Sequence, residues 1–173
     1  MKMLVFSDTH GVSELMEEAI STHLANGGID LLVHLGDGAR EFKVVSSKYP
    51  HIPTVSVSGN HEEFSASFLD QAVMDFEKKF TFGGKTFLAV HGHKLGVKSG
   101  IQRAVDYAIG AGADVLLFGH THGKADVSLD GSEEGSVRVI NPGACGKWYN
   151  ASYAVIHAVD GQIVCGFGYK NEL

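Results

Sequence analysis

Candidate metal ligands follow five apolar segments of the 173-residue sequence, at the point where each segment stops. Imidazole, carboxylate and amide groups are common ligands of divalent first-row metal ions. A polar residue after one strand is ordinary turn chemistry, whereas candidate ligands after all five segments indicate a shared site. The five groups are Asp8 and His10, Asp37, Asn60 and His61, His91 and His93, and His120 and His122.

The number of candidate ligands predicts how many metal ions the site holds. Seven ligands are too many for one tetrahedral ion and suit two divalent ions that share Asp37 as a bridge. With two aspartates and a bridging hydroxide, the centre would carry a charge of about +1, which attracts a small anion such as phosphate. Mn²⁺ is the expected metal, and Ni²⁺, Fe²⁺, Co²⁺ and Zn²⁺ suit the same ligands. The predicted ligands are Asp8, His10, Asp37, Asn60, His91, His120 and His122.

The elements that must position these side chains follow an α/β pattern. Helices with apolar residues at helical spacing are predicted after Ser13, over 39–49 and after Ser99, with both serines as N-caps. Because functional groups gather at the carboxyl ends of the strands in α/β sheets, the five groups are expected to meet there. Strands are predicted directly before them at 3–6, 29–35, 54–57, 86–90 and 115–118.

The other segments are predicted mainly as strands. The stretch 64–79 reads as helical only at its start, and 80–82 then enters a hairpin with 86–90. No linker or low-complexity stretch divides the chain, so residues 1–173 are predicted to form one domain. Further strands are predicted at 125–129, 136–140, 152–159 and 162–167, the last two joined by an Asp160-Gly161 turn.

Composition argues against several classes of protein. A formal net charge of -6 disfavours binding to duplex nucleic acid, which usually needs a basic face. The sequence has no apolar run of the length of a membrane span or a signal peptide, so no membrane partner is expected. Cys145 and Cys165 lack CxxC spacing and are predicted to be reduced thiols, as in a cytoplasmic protein. The sequence leaves self-association into a homo-oligomer open.

The ordered motifs resemble those of a known family. SDTHG, LGDG, GNHE, VHGH and FGHTH occur in this order over about two thirds of the chain, and Asn141, Pro142 and Gly143 resemble a further loop. Together they resemble the calcineurin-like metallophosphoesterases, above all the small single-domain phosphodiesterases. The resemblance implies an α/β fold of four layers, a two-sheet β-sandwich flanked by helices. It also implies that one metal is held by Asp8, His10, Asp37 and His122, and the other by Asp37, Asn60, His91 and His120.

His61 is the candidate catalytic residue. The matching histidine of phosphatases in this family contacts the phosphate and assists the leaving oxygen, although many small relatives have another residue there. Those phosphatases pair this histidine with an aspartate of a GDxxDRG motif. This chain has GDGAREF instead, so that partner is missing or lies elsewhere.

The other histidines and nearby cations have plainer interpretations. His34 is predicted to be a hydrogen-bonded core residue, and His93 to support a metal ligand without binding metal itself. Five cations follow the site loops and could touch substrate, but they are predicted to be solvated surface charges. They are Arg40, Lys94, Lys98, Lys124 and Lys147.

These inferences predict a metal-dependent phosphodiesterase for small phosphodiesters, in which a hydroxide bridging the two metals attacks in line and His61 assists departure. The alternative is a non-catalytic protein-interaction scaffold of the retromer-subunit type, which shares the GHTH motif but lacks the histidine of GNHE. The presence of His61 and of all seven candidate ligands favours the enzyme. A nuclease would be expected to show a basic face or an added DNA-binding domain.

Overall fold

The structure of the protein is a computed structural model that describes residues 1–65, 75–146 and 149–170. The helices are α1 (Glu14–Ala25), α2 (Ala39–Ser46), α3 (Asn60–Ser65) and α4 (Gln102–Gly110), with a 3-10 helix at His93–Leu95. The strands are β1 (Lys2–Phe6), β2 (Leu31–His34), β3 (Thr54–Ser56), β4 (Glu77–Phe82), β5 (Lys85–Val90), β6 (Val115–Leu117), β7 (Ala125–Asp130), β8 (Ser136–Asn141), β9 (Ser152–Val159) and β10 (Gln162–Tyr169).

The strands form two mixed sheets of five strands each. The first sheet has the order β10-β9-β1-β2-β3, in which β1, β2 and β3 are parallel, β9 runs antiparallel to β1, and β10 runs antiparallel to β9. The second has the order β4-β5-β6-β8-β7, in which β5, β6 and β8 are parallel and the outer strands run antiparallel to them. Parallel strands in both sheets therefore send the loops that follow them toward a common edge.

Apolar side chains pack the molecule into four layers. Val5 and Val33 of the first sheet belong to the same buried cluster as Phe87 and Leu117 of the second, which forms a core between the two sheets. Helices α1 and α2 cover the outer face of the first sheet. Helix α4 covers the outer face of the second sheet. This arrangement confirms the predicted two-sheet sandwich flanked by helices.

The predicted helix starts were only partly right. Ser13 does precede α1, but its hydroxyl donates to the Glu17 carboxylate at 3.1 Å and makes no cap bond to the backbone. The prediction of Ser99 as an N-cap was wrong, because α4 begins at Gln102 with Ile101 at the N-cap position. The backbone N–H of Ser99 instead donates to the Gly96 carbonyl at 2.8 Å, in the turn after the 3-10 helix.

Other boundaries also differ from the prediction. Helix α2 ends at Ser46 and not at residue 49. Helix α3 begins at Asn60, so this residue and His61 lie in a first helical turn that was not predicted. The predicted helical start of 64–79 falls largely at 66–74, outside the described residues. Both predicted hairpins are confirmed, and no helix in the described ranges is long and apolar enough to cross a membrane.

Candidate metal centre

Five loops or turns bring polar side chains to one edge of the sandwich. They follow β1, β2, β3, β5 and β6, and four of these strands are mostly buried, whereas β3 is exposed at two of its three residues. The seven predicted ligands and His61 form one connected cluster, in which each side chain lies near at least one other. Two parts of this cluster differ in burial and are described in turn.

The first part, called the open half, consists of Asp8, His10 and His122. Its ligand atoms all lie within 4.8 Å of one another. His122 Nε2 is 3.2 Å from Asp8 Oδ1, and the Nε2 atoms of the two histidines are 3.3 Å apart. The Asp8 side chain is fully buried, whereas those of His10 and His122 are 23% and 33% exposed. The two imidazoles therefore line the solvent side of a buried carboxylate.

The second part, called the deep half, consists of Asp37, Asn60, His91 and His120. His91 Nε2 lies 3.1 Å from His120 Nδ1, 3.2 Å from Asn60 Oδ1 and 3.5 Å from Asp37 Oδ2. The other ring nitrogen of His91 is 2.7 Å from the Leu35 carbonyl oxygen, which can only accept a hydrogen bond. His91 Nδ1 must carry that proton, so the lone pair of Nε2 in the neutral ring points toward the other predicted ligands.

Asp37 lies between the two halves. Its carboxylate oxygens fall within 4.8 Å of His91 and His120 on one side, and within 4.8 Å of His10 and His61 on the other. A carboxylate has two oxygens and can contact two ions at once. The position of Asp37 is therefore compatible with the predicted bridge.

Burial and hydrogen bonding set the charges in the cluster. Burial acts to raise the pKa of Asp37, but the bond to His91 and the backbone N–H of His61 hold that pKa well below its usual range. Burial acts to lower the pKa of His91, yet the neighbouring Asp37 raises it above its ordinary value. Burial lowers the pKa of His120 to about 4 and also lowers the pKa of His10. His10 and His120 are therefore neutral at neutral pH, the form that binds metal.

The surroundings of the Asp8 carboxylate show whether the residues fit a metal ion. Asp8 Oδ2 accepts hydrogen bonds from Ser7 Oγ at 2.5 Å and from the backbone N–H of His120 at 3.0 Å. Asp8 Oδ1 is buried and makes no hydrogen bond within the described ranges, although His122 Nε2 lies 3.2 Å from it. An unsatisfied buried carboxylate oxygen is costly unless a cation is bound beside it. This oxygen and the surrounding imidazoles fit a divalent first-row metal ion.

Residues 1–161 match the calcineurin-like phosphoesterase superfamily domain. The chain belongs to this superfamily. The probable metallophosphoesterase YsnB of Bacillus subtilis (strain 168) is 30% identical over 144 residues, which span 83% of this chain and 75% of that protein. The family resemblance predicted from the motifs is confirmed; this family implies divalent metal ions, and the chain has candidate ligands for them.

Solved structures share the phosphoesterase fold at low identity. A conserved protein of Streptococcus pneumoniae TIGR4, described as a predicted phosphoesterase, has a TM-score of 0.70 at 21% identity, covering 96% of this chain and 87% of that one. Entamoeba histolytica Vps29 complexed with zinc has a TM-score of 0.69 at 18% identity, covering 99% and 100%. An archaeal phosphodiesterase has a TM-score of 0.63 at 21% identity, covering 96% and 99%.

Backbone geometry sets the metallophosphoesterase loops apart from the rest of the chain. Among the described non-glycine residues, positive φ angles occur at Asp8, His10, Asp37, His120 and His122, and otherwise only at Asp160 in a hairpin turn. Such conformations cost about 1–3 kcal/mol each and persist where the surrounding structure enforces them. Five of these six residues are predicted ligands. The sequence carried no signal of this strain, because none of the five is glycine.

The candidate catalytic residue lies at the mouth of the cluster. The His61 side chain is 64% exposed, its Nε2 lies 3.8 Å from Asp37 Oδ2, and its ring is 4.8 Å from the ring of His10. With His10, Asp37 and Arg40 it lines a cavity of about 320 Å³. His61 therefore stands beside the predicted metal ligands, where a substrate could reach it.

The other residues considered from the sequence have identifiable surroundings. His34 is fully buried and accepts the Gly36 N–H at 3.2 Å, which confirms it as a hydrogen-bonded core histidine. His93 pairs with Glu63 at 2.9 Å, and its ring lies 5.3 Å from that of His91. Lys94 pairs with the same Glu63 at 3.3 Å. Lys147 lies outside the described residues.

Sequence reasoning missed the contribution of Glu62, the last residue of the GNHE motif. Its carboxylate accepts four backbone N–H groups from the loops that carry Asp37 and Asn60. The motif was a possible signal, since Glu62 is the third residue of α3, where a glutamate can accept the backbone N–H of the residue before the helix. A second constraint explains the glycine of the same motif, because a Cβ atom at Gly59 would collide with Asp37 Oδ1.

Proposed function

We propose that this metallophosphoesterase is a phosphodiesterase that uses two divalent ions to hydrolyse small phosphodiesters. The observation that carries the proposal is the position of Asp37, which is within ligand reach of both halves of the cluster and lines an open cavity. The open half would hold one ion and the deep half the other, with Asp37 between them. Mn²⁺ is the metal we expect.

When bound, the two ions would supply a nucleophile at neutral pH and neutralise the charge on the phosphate oxygens. The protein residues keep that site in place. Asp8 and Asp37 provide the negative charge that retains two cations, and the neutral imidazoles of His10 and His120 contribute ligands without adding charge. The Leu35 carbonyl orients the His91 ring toward the same point.

His61 is proposed to donate a proton to the leaving oxygen. General acid assistance needs a titratable group next to the reacting atoms, and His61 lies on the wall of the cavity beside Asp37. The hydrogen bond from the His61 backbone N–H to Asp37 Oδ1, at 2.9 Å, ties the position of the catalytic residue to that of the bridging carboxylate.

The openness of the site supports diesters as substrates. Side chains on both sides of the cavity are exposed, with His10 and His122 partly in solvent and His61 mostly so. Among the described residues, these exposed side chains leave room for a second ester arm. The archaeal phosphodiesterase of the same fold is a precedent for this reaction class. We expect modest affinity and broad tolerance, since few remote contacts are available to a small substrate.

A scaffold function is the second candidate, because Vps29 proteins share this fold over 99% of the chain. The complete candidate ligand set and the nearby His61 favour the enzyme. The two candidates differ in whether a bound metal leads to hydrolysis.

The deciding experiment strips the protein with a chelator, reloads it with Mn²⁺ and compares bis-(p-nitrophenyl) phosphate with p-nitrophenyl phosphate at saturating metal. We expect faster hydrolysis of the diester, with Asp37→Asn as the inactive control. A clear preference for the monoester would contradict the diester assignment. Metal binding without hydrolysis of either ester, tested with all five candidate metals, would favour the scaffold.

A further inference from the structure

The side chain of Glu62 joins two loops of the site. Its Oε2 accepts the backbone N–H of Asp37 at 2.8 Å and that of Gly59 at 2.7 Å. Its Oε1 accepts the N–H of Gly38 at 2.6 Å and that of Ala39 at 3.1 Å. One carboxylate therefore binds the loop after β2 and the residue that precedes Asn60.

The loop after β2 is held on its other side by His34. The Gly36 N–H donates to His34 Nδ1, so four consecutive backbone N–H groups, from Gly36 to Ala39, donate to two side chains. Neither of those side chains is a predicted metal ligand. The backbone that carries Asp37 is thus held by the protein itself.

This loop needs such support because its conformation is unfavourable. Asp37, which is not a glycine, has a φ of 54° in the left-handed region. Hydrogen bonds to a charged acceptor are stronger than neutral ones, and several of them can offset the backbone strain. Each oxygen of Glu62 accepts two backbone N–H groups, so neither oxygen carries a proton and the acceptor is a carboxylate.

We propose that Glu62 is a positioning residue that holds Asp37 and Asn60 in their metal-binding arrangement before any metal is bound. The effect on metal affinity rests on the proposed function, in which Asp37 and Asn60 bind the ions. The order of the metal-free loops does not rest on it, so the two can be tested apart.

The hydrogen-bond pattern makes Glu62→Gln a sharp test. Each carboxylate oxygen accepts two N–H groups, so in either orientation the glutamine NH₂ would face two backbone donors. Glu62→Asp keeps the charge but is one methylene shorter, and it should rescue part of the effect. Glu17→Gln is the matched control, because Glu17 is an exposed carboxylate on α1 that pairs with Lys48.

The first measurement is amide hydrogen exchange on the metal-free protein. In the wild type we expect protection of the four amides that donate to Glu62. In Glu62→Gln these amides should exchange at least about tenfold faster, while the amide of Leu116 in β6 keeps its wild-type rate. The second measurement is calorimetric titration with Mn²⁺, in which Glu62→Gln should bind about 10- to 100-fold more weakly, Glu62→Asp should lie between, and Glu17→Gln should match the wild type.

Unchanged amide protection and unchanged Mn²⁺ affinity in Glu62→Gln would overturn the proposal. If Glu62→Gln fails to fold, amide hydrogen exchange of the metal-free wild type and the behaviour of Glu62→Asp test the proposal instead. Unprotected amides at Asp37, Gly38, Ala39 and Gly59 in the metal-free wild type would equally overturn it. Failure of the proposed function gives a different result. In that case the wild type binds no Mn²⁺ or hydrolyses no ester, while the four amides are still protected.

Discussion

The two halves of the candidate metal centre contain similar side chains but are built differently. In the deep half, the side chains of His91 and Asp37 are 0% and 3% exposed, Asn60 and His120 are partly exposed, and the Leu35 carbonyl and Glu62 fix the surroundings of His91 and Asp37. In the open half, His10 and His122 reach into solvent, and the buried Asp8 is held by Ser7 and by the His120 N–H.

This difference suggests a division of roles. Ligands that are already ordered lose little conformational freedom when a metal binds, so the deep half should bind its ion more tightly. The open half should bind its ion more weakly and lies where exchange with solvent is easiest. Asp37 belongs to the deep half but reaches His10 of the open half, so it couples the two.

Replacing the residue shared by both halves should have the largest effect. We expect Asp37→Asn to lower kcat/KM by about a thousandfold and to reduce metal content, with the fold retained because asparagine is nearly isosteric. Metal analysis and turnover on Asp37→Asn, with Asn60→Ala as the comparison, measure this. A variant that keeps two metals per chain and near wild-type rates would rule out the bridge.

Replacing a residue that belongs to neither half separates chemistry from metal binding. We expect His61→Ala to keep its metals and to slow hydrolysis by roughly a hundredfold for esters with poor leaving groups, with a smaller effect for good ones. A series of aryl and alkyl diesters measures the dependence. An equal loss across the series would indicate that His61 orients the phosphate and donates no proton.

Paired substitutions compare the halves directly. We expect His91→Ala to weaken Mn²⁺ binding about tenfold more than His122→Ala, because His91 is buried and oriented by Leu35. His122→Ala should keep one tightly bound ion per chain. Titration with Mn²⁺, after thermal unfolding has shown that both variants fold, gives the two affinities. Equal losses in both variants would remove the distinction between the halves.

The smallest effect is expected from the hydrogen bond that supports Asp8. Ser7→Ala removes one donor to Asp8 Oδ2, at 2.5 Å, and leaves the His120 N–H in place. The loss should be about 1 kcal/mol in the binding of the weaker ion, or roughly fivefold in affinity. The tighter ion should be unaffected. A similar loss for the tighter ion would mean that Ser7 supports both halves.

Much of this architecture followed from local sequence patterns. Apolar runs ending in Asp8, Asp37 or His120 predicted both the strands and the edge where their side chains meet, because the period of a strand and the position of its end are local properties. Helix starts were less predictable. Ser99 was predicted as an N-cap, but its backbone N–H bonds to the Gly96 carbonyl in a turn, and α4 begins only at Gln102.

The sequence by itself determined which side chains could form the centre and where along the chain the strands that present them lie. Only the tertiary structure decided which half is deep, which ligands sit at positive φ, and that Glu62 joins two loops. Glu62 lies 23 to 25 residues from Asp37, Gly38 and Ala39 along the chain, and it contacts their backbone N–H groups. Every non-proline residue carries that same N–H group, so no residue type marks these partners in the sequence.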